Sequence, residues 1–153
     1  IWQNEHGEQD GDEINVLDIH GEAAGSNYGW PVATYAVDYG DASEIGDLPP
    51  ERPDTVAPVH WWEYGEEGGF PPSGLAFVTG AAFSAWEGDI LMGNLADQYL
   101  GRFEIDGEDV LEEHRLLEDR GWRVRAVDVH PSTGEIYALV DSDAAPLVRL
   151  YPQ

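Results

Sequence analysis

The sequence predicts an all-β protein built from propeller-like blades, and three observations carry that prediction. Short strand-like runs recur along nearly the whole chain, at 13–18, 57–64, 74–78, 89–94, 99–105, 124–129, 135–140 and 147–151, most of them bounded by Gly, Pro, Asp or Asn. A weak internal echo relates Gly88-Asp89-Ile90-Leu91 with Leu100-Gly101-Arg102-Phe103 to Gly134-Glu135-Ile136-Tyr137 with Leu147-Val148-Arg149-Leu150, the offset between Gly88 and Gly134 being 134 − 88 = 46 residues. A period of roughly 40 to 50 residues suits one four-stranded blade. The single stretch with good helix propensity, 108–119 (EDVLEEHRLLED), follows Asp106-Gly107, a hairpin turn signal after an alternating strand, and is therefore read as the second arm of a hairpin.

Taken in order, the chain opens on a hairpin-like stretch, residues 1–31, that crowds acidic side chains, a histidine and a Gly-Trp-Pro corner together. Residues 40–54 (GDASEIGDLPPERPD) and 65–72 (GEEGGFPP) are rich in Gly, Pro and acid and read as loops. The remaining runs are strands of successive blades. We expect one β-propeller domain over 1–153, with no separate linker or tail; that it is a partial propeller is what the family resemblance described below implies.

Composition narrows the function classes. A hydrophobic fraction of 42% with 11% aromatics is enough for a packed core. Thirty-one acidic residues against seven basic ones, all arginine, give a formal charge of −24. Phosphate binding draws its affinity from cationic side chains, so no nucleic-acid partner is expected. Self-repulsion on that scale is relieved at molar salt, where the screening length falls to about 3 Å, and the composition predicts a halophilic source, the alternative being an acidic mesophilic secreted protein. With no cysteine there is no disulfide or thiolate site. No apolar run approaches the roughly 20 residues of a membrane span, so no membrane insertion is expected.

Two constellations could carry chemistry. Glu5, His6, Glu8, Asp10, Asp12 and Glu13 supply the hard oxygen ligands calcium prefers, although Ile14 at the fifth position from Asp10 excludes an EF-hand loop. By charge count alone, the same run reads as a solvated acidic face. His6 could polarise a carbonyl, ligate a metal or serve a structural hydrogen bond. No histidine spacing suggests zinc, and no Ser-His-Asp or GxSxG signature is present. In Arg123-Val124-Arg125, strand alternation places both guanidiniums on one face, a multi-donor clamp for carboxylates, unless they pair with the abundant surface acids. A carboxylate-pair hydrolase using Asp12 and Glu13 is disfavoured because adjacent strand residues point to opposite faces.

The motif E-H-G-x-x-x-G-D-E-I-N, Glu5 to Asn15, followed by Asn27-Tyr28-Gly29-Trp30-Pro31, resembles the soluble pyrroloquinoline quinone (PQQ) dependent glucose and aldose sugar dehydrogenases. Gly121-Trp122-Arg123-Val124-Arg125-Ala126-Val127 resembles their Arg-x-Arg segment, with Ala126 where aspartate is usual, and Gly93-Asn94-Leu95-Ala96 resembles a PQQ-touching loop, with Ala96 where the glucose enzymes have lysine. The resemblance runs from Ile1 to Pro152 and implies the C-terminal half of a six-bladed propeller, about three four-stranded blades. It implies PQQ contacts from His6, Gly7, Glu8 (where proline is common), Asp12, Tyr39, Asn94, Leu95, Ala96, Arg123 and Arg125. It implies a structural calcium held by Glu13 and the backbone of Tyr28, and a place for Trp62 at the sugar-side mouth.

The resemblance implies oxidation of an aldose sugar at its anomeric carbon, with the quinone accepting the hydride. The histidine base lies in the N-terminal half; no catalytic residue is assigned in this chain, His6 is not its counterpart, and the chain alone is expected to be inactive. Expected partners are the sugar and either the missing N-terminal half or a second copy, since open blade faces would leave Ile90, Met92, Leu139 and Val148 in water. The expected location is periplasmic or extracellular. The alternative function is a non-catalytic, calcium-stabilised propeller fragment that serves as a binding module.

Overall fold

The computed structural model describes residues 1–65 and 69–152, and its described residues form ten β-strands in three antiparallel sheets with three short 3-10 turns. The chain divides into two compact units, Ile1–Pro71 and Pro72–Gln153. Among the described residues no helix is long and apolar enough to cross a membrane.

The first unit is organised by a hairpin of β1 (Trp2–Glu5) and β2 (Asp12–Val16), with β3 (His60–Trp62) added to the other edge of β2. The register pairs Glu5 with Glu13 and Asn4 with Ile14, and it pairs Asp12 with Trp62. Gly11, at φ 65°, closes the turn between β1 and β2: a Cβ there would sit 2.1 Å from the Ala36 amide nitrogen, so only glycine fits. Its own N–H donates to the Trp62 carbonyl at 2.7 Å. β3 is shorter than the run expected over 57–64 because Pro58 has no N–H to give the ladder; Val59 still donates to the Ile14 carbonyl at 2.9 Å. Residues 17–59 carry no strand, only isolated bridges and the 3-10 turn Pro49–Glu51, so the loop expected over 40–54 is a loop. The loop expected over 65–72 lies partly outside the described residues. Ile14, Ala33, Ala36, Val37 and Phe70 form the buried apolar centre of this unit.

The second unit holds a four-stranded meander, β4 (Pro72–Phe77), β5 (Ile90–Asn94), β6 (Leu100–Asp106) and β7 (Asp109–Leu116), and a three-stranded one, β8 (Val124–Val129), β9 (Ile136–Val140) and β10 (Leu147–Leu150). The stretch 109–116 is a strand, as the turn signal at Asp106-Gly107 predicts: Gly107 adopts φ 66°, and β7 returns along β6. Val78, Leu91 and Leu100 from the first meander pack with Val124, Val127, Val129, Ile136 and Ala138 from the second.

The 46-residue echo is structural as well as sequential. Leu91 faces Arg102 across β5 and β6, as Tyr137 faces Arg149 across β9 and β10. Each copy carries a matching ion pair, Arg102 to Asp89 at 3.6 Å and Arg149 to Glu135 at 3.8 Å.

Two expectations need correction. One sheet has four strands and the other two have three each among the described residues, rather than three sheets of four. Ile90 and Met92 do not meet water: both are fully buried.

Candidate functional site

In the first unit the site is built on the hairpin turn and on the paired strands beneath it. The turn holds His6, Gly7 and Glu8 between β1 and Gly11. The Gly7 amide donates to Asp12 Oδ1 at 3.2 Å, and the Tyr39 amide donates to Glu8 Oε1 at 3.4 Å, so Gly7 is tied to Asp12 and Glu8 to the strongly exposed Tyr39. Gly7 is closely boxed in by the turn backbone and by Ala36 Cβ at 2.7 Å from a notional Cβ, which leaves no room for a side chain. Burial pushes the Asp12 carboxyl up to about 6, against the exposed His6 and the Gly7 amide, which both hold it down. Trp62 is half-buried, stacked on Phe70 with ring centres 4.7 Å apart and edge-on to His60 at 4.5 Å; it is a packed aromatic on the strand that faces Asp12.

On the opposite face of the hairpin, Glu5 and Glu13 stand across from each other and Asn15 follows on the same side. Asn15 Nδ2 donates to Glu5 Oε1 at 2.9 Å and to Glu13 Oε2 at 3.5 Å. Glu13 is 4% exposed and Asn15 fully buried, and Glu13 Oε1 and Asn15 Oδ1 have no hydrogen-bond partner. Burial raises the Glu13 carboxyl to about 7, helped by the like charge of Glu5, and burial raises Glu5 as well. Tyr28 is engaged elsewhere: its hydroxyl accepts the Asp18 amide at 2.8 Å. The sequence reading missed Asn15 as a member of this group. Its i, i+2 spacing from Glu13 on a strand was the available signal.

In the second unit Arg123 and Arg125 do share a face. Arg125 Nη2 and Arg123 Nη2 reach the same oxygen, Asp141 Oδ2, at 2.7 and 3.1 Å, and Arg123 Nη1 donates to the Leu95 carbonyl at 2.6 Å. The arginines hold the exposed Asp141 carboxyl below its usual range, Arg125 first and Arg123 second. Asp141 escaped the sequence reading because its closeness to Arg123 depends on the β8–β9 hairpin. The backbone tie from Asp141 N to Arg123 O, 2.7 Å long, closes that hairpin end. Asn94 is fully buried, and its Oδ1 accepts the amides of Ala96 and Asp97, both at 2.9 Å; this Asx turn fixes the Leu95-Ala96 loop beside Arg123 and leaves Ala96 exposed.

The ordered motifs, the paired arginines and the sheet pattern agree with comparison to known proteins. The sequence profile described as Glucose / Sorbosone dehydrogenase matches residues 1–149. The chain belongs to the glucose/sorbosone dehydrogenase family. It is 33% identical over 157 residues to the aldose sugar dehydrogenase YliI of Escherichia coli (strain K12), covering all of this chain and 38% of that protein. A crystal structure of a glucose dehydrogenase superposes with a TM-score of 0.84 at 36% identity, over 99% of this chain and 41% of its own. The PQQ-bound form of an aldose sugar dehydrogenase from Streptomyces coelicolor shares the fold, with a TM-score of 0.62 at 23% identity, over 98% of this chain and 39% of its own. The chain therefore spans about two-fifths of the length of these relatives. Within this family chain, the motif residues fall into two local groups, the hairpin turn of the first unit and the Leu95–Arg123–Arg125–Asp141 group of the second.

Proposed function

We propose that this chain is the C-terminal part of a PQQ-dependent aldose sugar dehydrogenase with a six-bladed propeller, an oxidoreductase acting at the anomeric carbon. Its two units are parts of one partial propeller domain, and the parent is a periplasmic or extracellular protein of a halophile. Family membership supports the enzyme class, and the Streptomyces coelicolor relative in its PQQ-bound form supports the cofactor. The observation that carries the reading is the arginine pair, because two guanidiniums already converge on one carboxylate oxygen. PQQ is a tricarboxylate, so the donor set fits it. When bound, the quinone supplies the hydride acceptor.

The chain's own residues bind and orient. Arg123 and Arg125 offer charge-assisted donors to a carboxylate, and Asp141 keeps the two side chains aligned while that ligand is away. The Asn94 turn fixes the Leu95 carbonyl that anchors Arg123. In the first unit His6, Gly7, Glu8, Asp12 and Tyr39 are the candidate contacts, and Trp62 supports them from β3. Ala96 offers no cation where the glucose enzymes have lysine, so the arginines carry more of the ionic grip. The base that takes the sugar's hydroxyl proton lies outside this chain, which alone is inactive.

Calcium fits the first unit on a separate observation: Glu13 Oε1 is buried, carboxylate and without a partner. We propose that Glu13 and the Tyr28 carbonyl hold it. Replacing both Arg123 and Arg125 by alanine in the full-length parent should weaken PQQ binding by roughly 2 to 6 kcal/mol, read by titration calorimetry. An unchanged affinity would sink the assignment. Asp141→Asn should change PQQ affinity much less, since it removes an internal partner of the arginines and no donor.

A further inference from the structure

The β1–β2 hairpin presents more to a cation than the one glutamate named so far. We infer that Glu5 and Asn15 are calcium ligands alongside Glu13 and the Tyr28 carbonyl, so that three side chains laid across the two strands complete the site; this rests on the calcium reading above.

Three structural facts lead there. The register sets Glu5 directly opposite Glu13, and strand alternation brings Asn15 to the same face. One amide, Asn15 Nδ2, donates to both carboxylates, at 2.9 and 3.5 Å, so the three side chains are in mutual contact. Within that group Glu13 and Asn15 are more than nine-tenths buried, and each keeps an oxygen, Oε1 and Oδ1, with no hydrogen-bond partner. Buried acceptors of this kind are costly unless something satisfies them.

No arginine or lysine of the first unit is on hand to do so. Arg52 is the one arginine before position 72, and it is occupied by Asp47 at 3.4 Å and Asp54 at 2.8 Å. Lysine is absent from the chain. Two carboxylates and an amide carbonyl, with no sulfur or imidazole among them, make an all-oxygen set of the kind that selects calcium or magnesium over the softer transition metals. Calcium is favoured because it accepts irregular, bidentate carboxylate geometry, which two facing strands can offer more readily than an octahedron. A half-turn of the Asn15 amide exchanges its NH2 for its carbonyl and turns a donor into a third oxygen ligand. Gln3 Nε2, 3.3 Å from Glu5 Oε2, steadies the outer carboxylate.

The test is calcium titration of the chelator-stripped chain by calorimetry at fixed ionic strength, with the calcium-induced shift in melting temperature as a second readout. Glu5→Gln keeps the shape of the side chain and its bond from Asn15, so the variant folds. It should bind calcium roughly tenfold or more weakly than the parent chain, a loss of the size expected when a partner at a metal site is removed. Asn15→Asp adds a carboxylate and should bind more tightly. Glu108→Gln, the same charge change at the exposed turn between β6 and β7, should stay within about twofold, as screened surface charge dictates.

If Glu5→Gln binds like the parent chain while Glu13→Gln loses calcium, the three-residue site is wrong and the Glu13 reading stands. If Glu108→Gln weakens binding as much as Glu5→Gln, bulk charge explains the effect and the inference falls. If the parent chain binds no calcium at millimolar concentration, both readings fall.

Discussion

At the scale of single residues, the acidic groups of the first unit divide by burial. Most of the chain's thirty-one acids face water, where charge is cheap, but Asp12 and Glu13 lie on β2 beneath the turn and are almost wholly buried. Burial lifts Asp12 to about 6 and Glu13 to about 7, with Glu5 adding to the latter. Both values stand above those of an unfolded chain, so the calcium-free fold binds protons more tightly than the unfolded one. Stability from this source is full below about pH 4 and is lost as the pH rises through 6 and 7. Thermal melts in chelator should therefore show the melting temperature falling between about pH 5 and about pH 8, and the double variant Asp12→Asn, Glu13→Gln should flatten that fall. A parent profile that rises over the same range would contradict the burial argument. Saturating calcium should flatten it too, by binding only the folded, ionised form.

At the scale of elements, the second unit depends on two glycines with different reasons for being glycine. Gly93, on β5, lies where the two meanders approach: a Cβ would sit 2.3 Å from the Val124 carbonyl oxygen and 2.9 Å from its Cγ1. Ser73 Oγ bridges the same place, donating to that carbonyl at 2.6 Å. Gly107, by contrast, has open space around it and is glycine for its φ of 66° alone. Gly93→Ala should cost roughly 1 to 3 kcal/mol or more by forcing strands apart, and Gly107→Ala about 1 kcal/mol through backbone strain, both read by urea denaturation. Equal costs at the two positions would show that the meanders do not approach as closely as Gly93 implies. The hairpin at Gly107 was legible in the sequence because turn chemistry is local. The close approach at Gly93 was not, because it is set by a strand thirty-one residues further on, at Val124.

For the molecule as a whole, the dominant quantity is the charge of −24 with no lysine. Among the described residues twelve ion pairs draw on its arginines and one histidine, and most lie at the surface, where each is worth little. Repulsion among the unpaired acids is the larger effect and depends on salt. Lowering salt from molar to about 10 mM lengthens the screening distance from about 3 Å to about 30 Å, and the melting temperature should fall by many degrees. Circular dichroism melts across that series would test it; a flat series would show that the acid excess is not an adaptation to salt.

What the sequence determined by itself is what depends on neighbouring residues. Alternation and turn signals fixed the all-β class and the hairpin at Asp106-Gly107. The ordered motifs from Glu5 to Asn15 and from Gly121 to Val127 carried the family, and the Arg-x-Arg spacing put two guanidiniums on one face. The echo foretold that Leu91 pairs with Arg102 as Tyr137 pairs with Arg149, although the second connection is one residue longer.

Tertiary structure decided which groups meet across a ladder or a hairpin. Asp141 comes under Arg123 and Arg125 only once β8 and β9 pair. Glu5 reaches Glu13 and Asn15 only in the register set by a turn that Gly11 alone can close. Ile90 and Met92, expected in water, are fully buried in the folded chain. Register is the physical reason: a one-residue slip would send Glu5, Glu13 and Asn15 to opposite faces, and nothing local to any of them specifies their alignment.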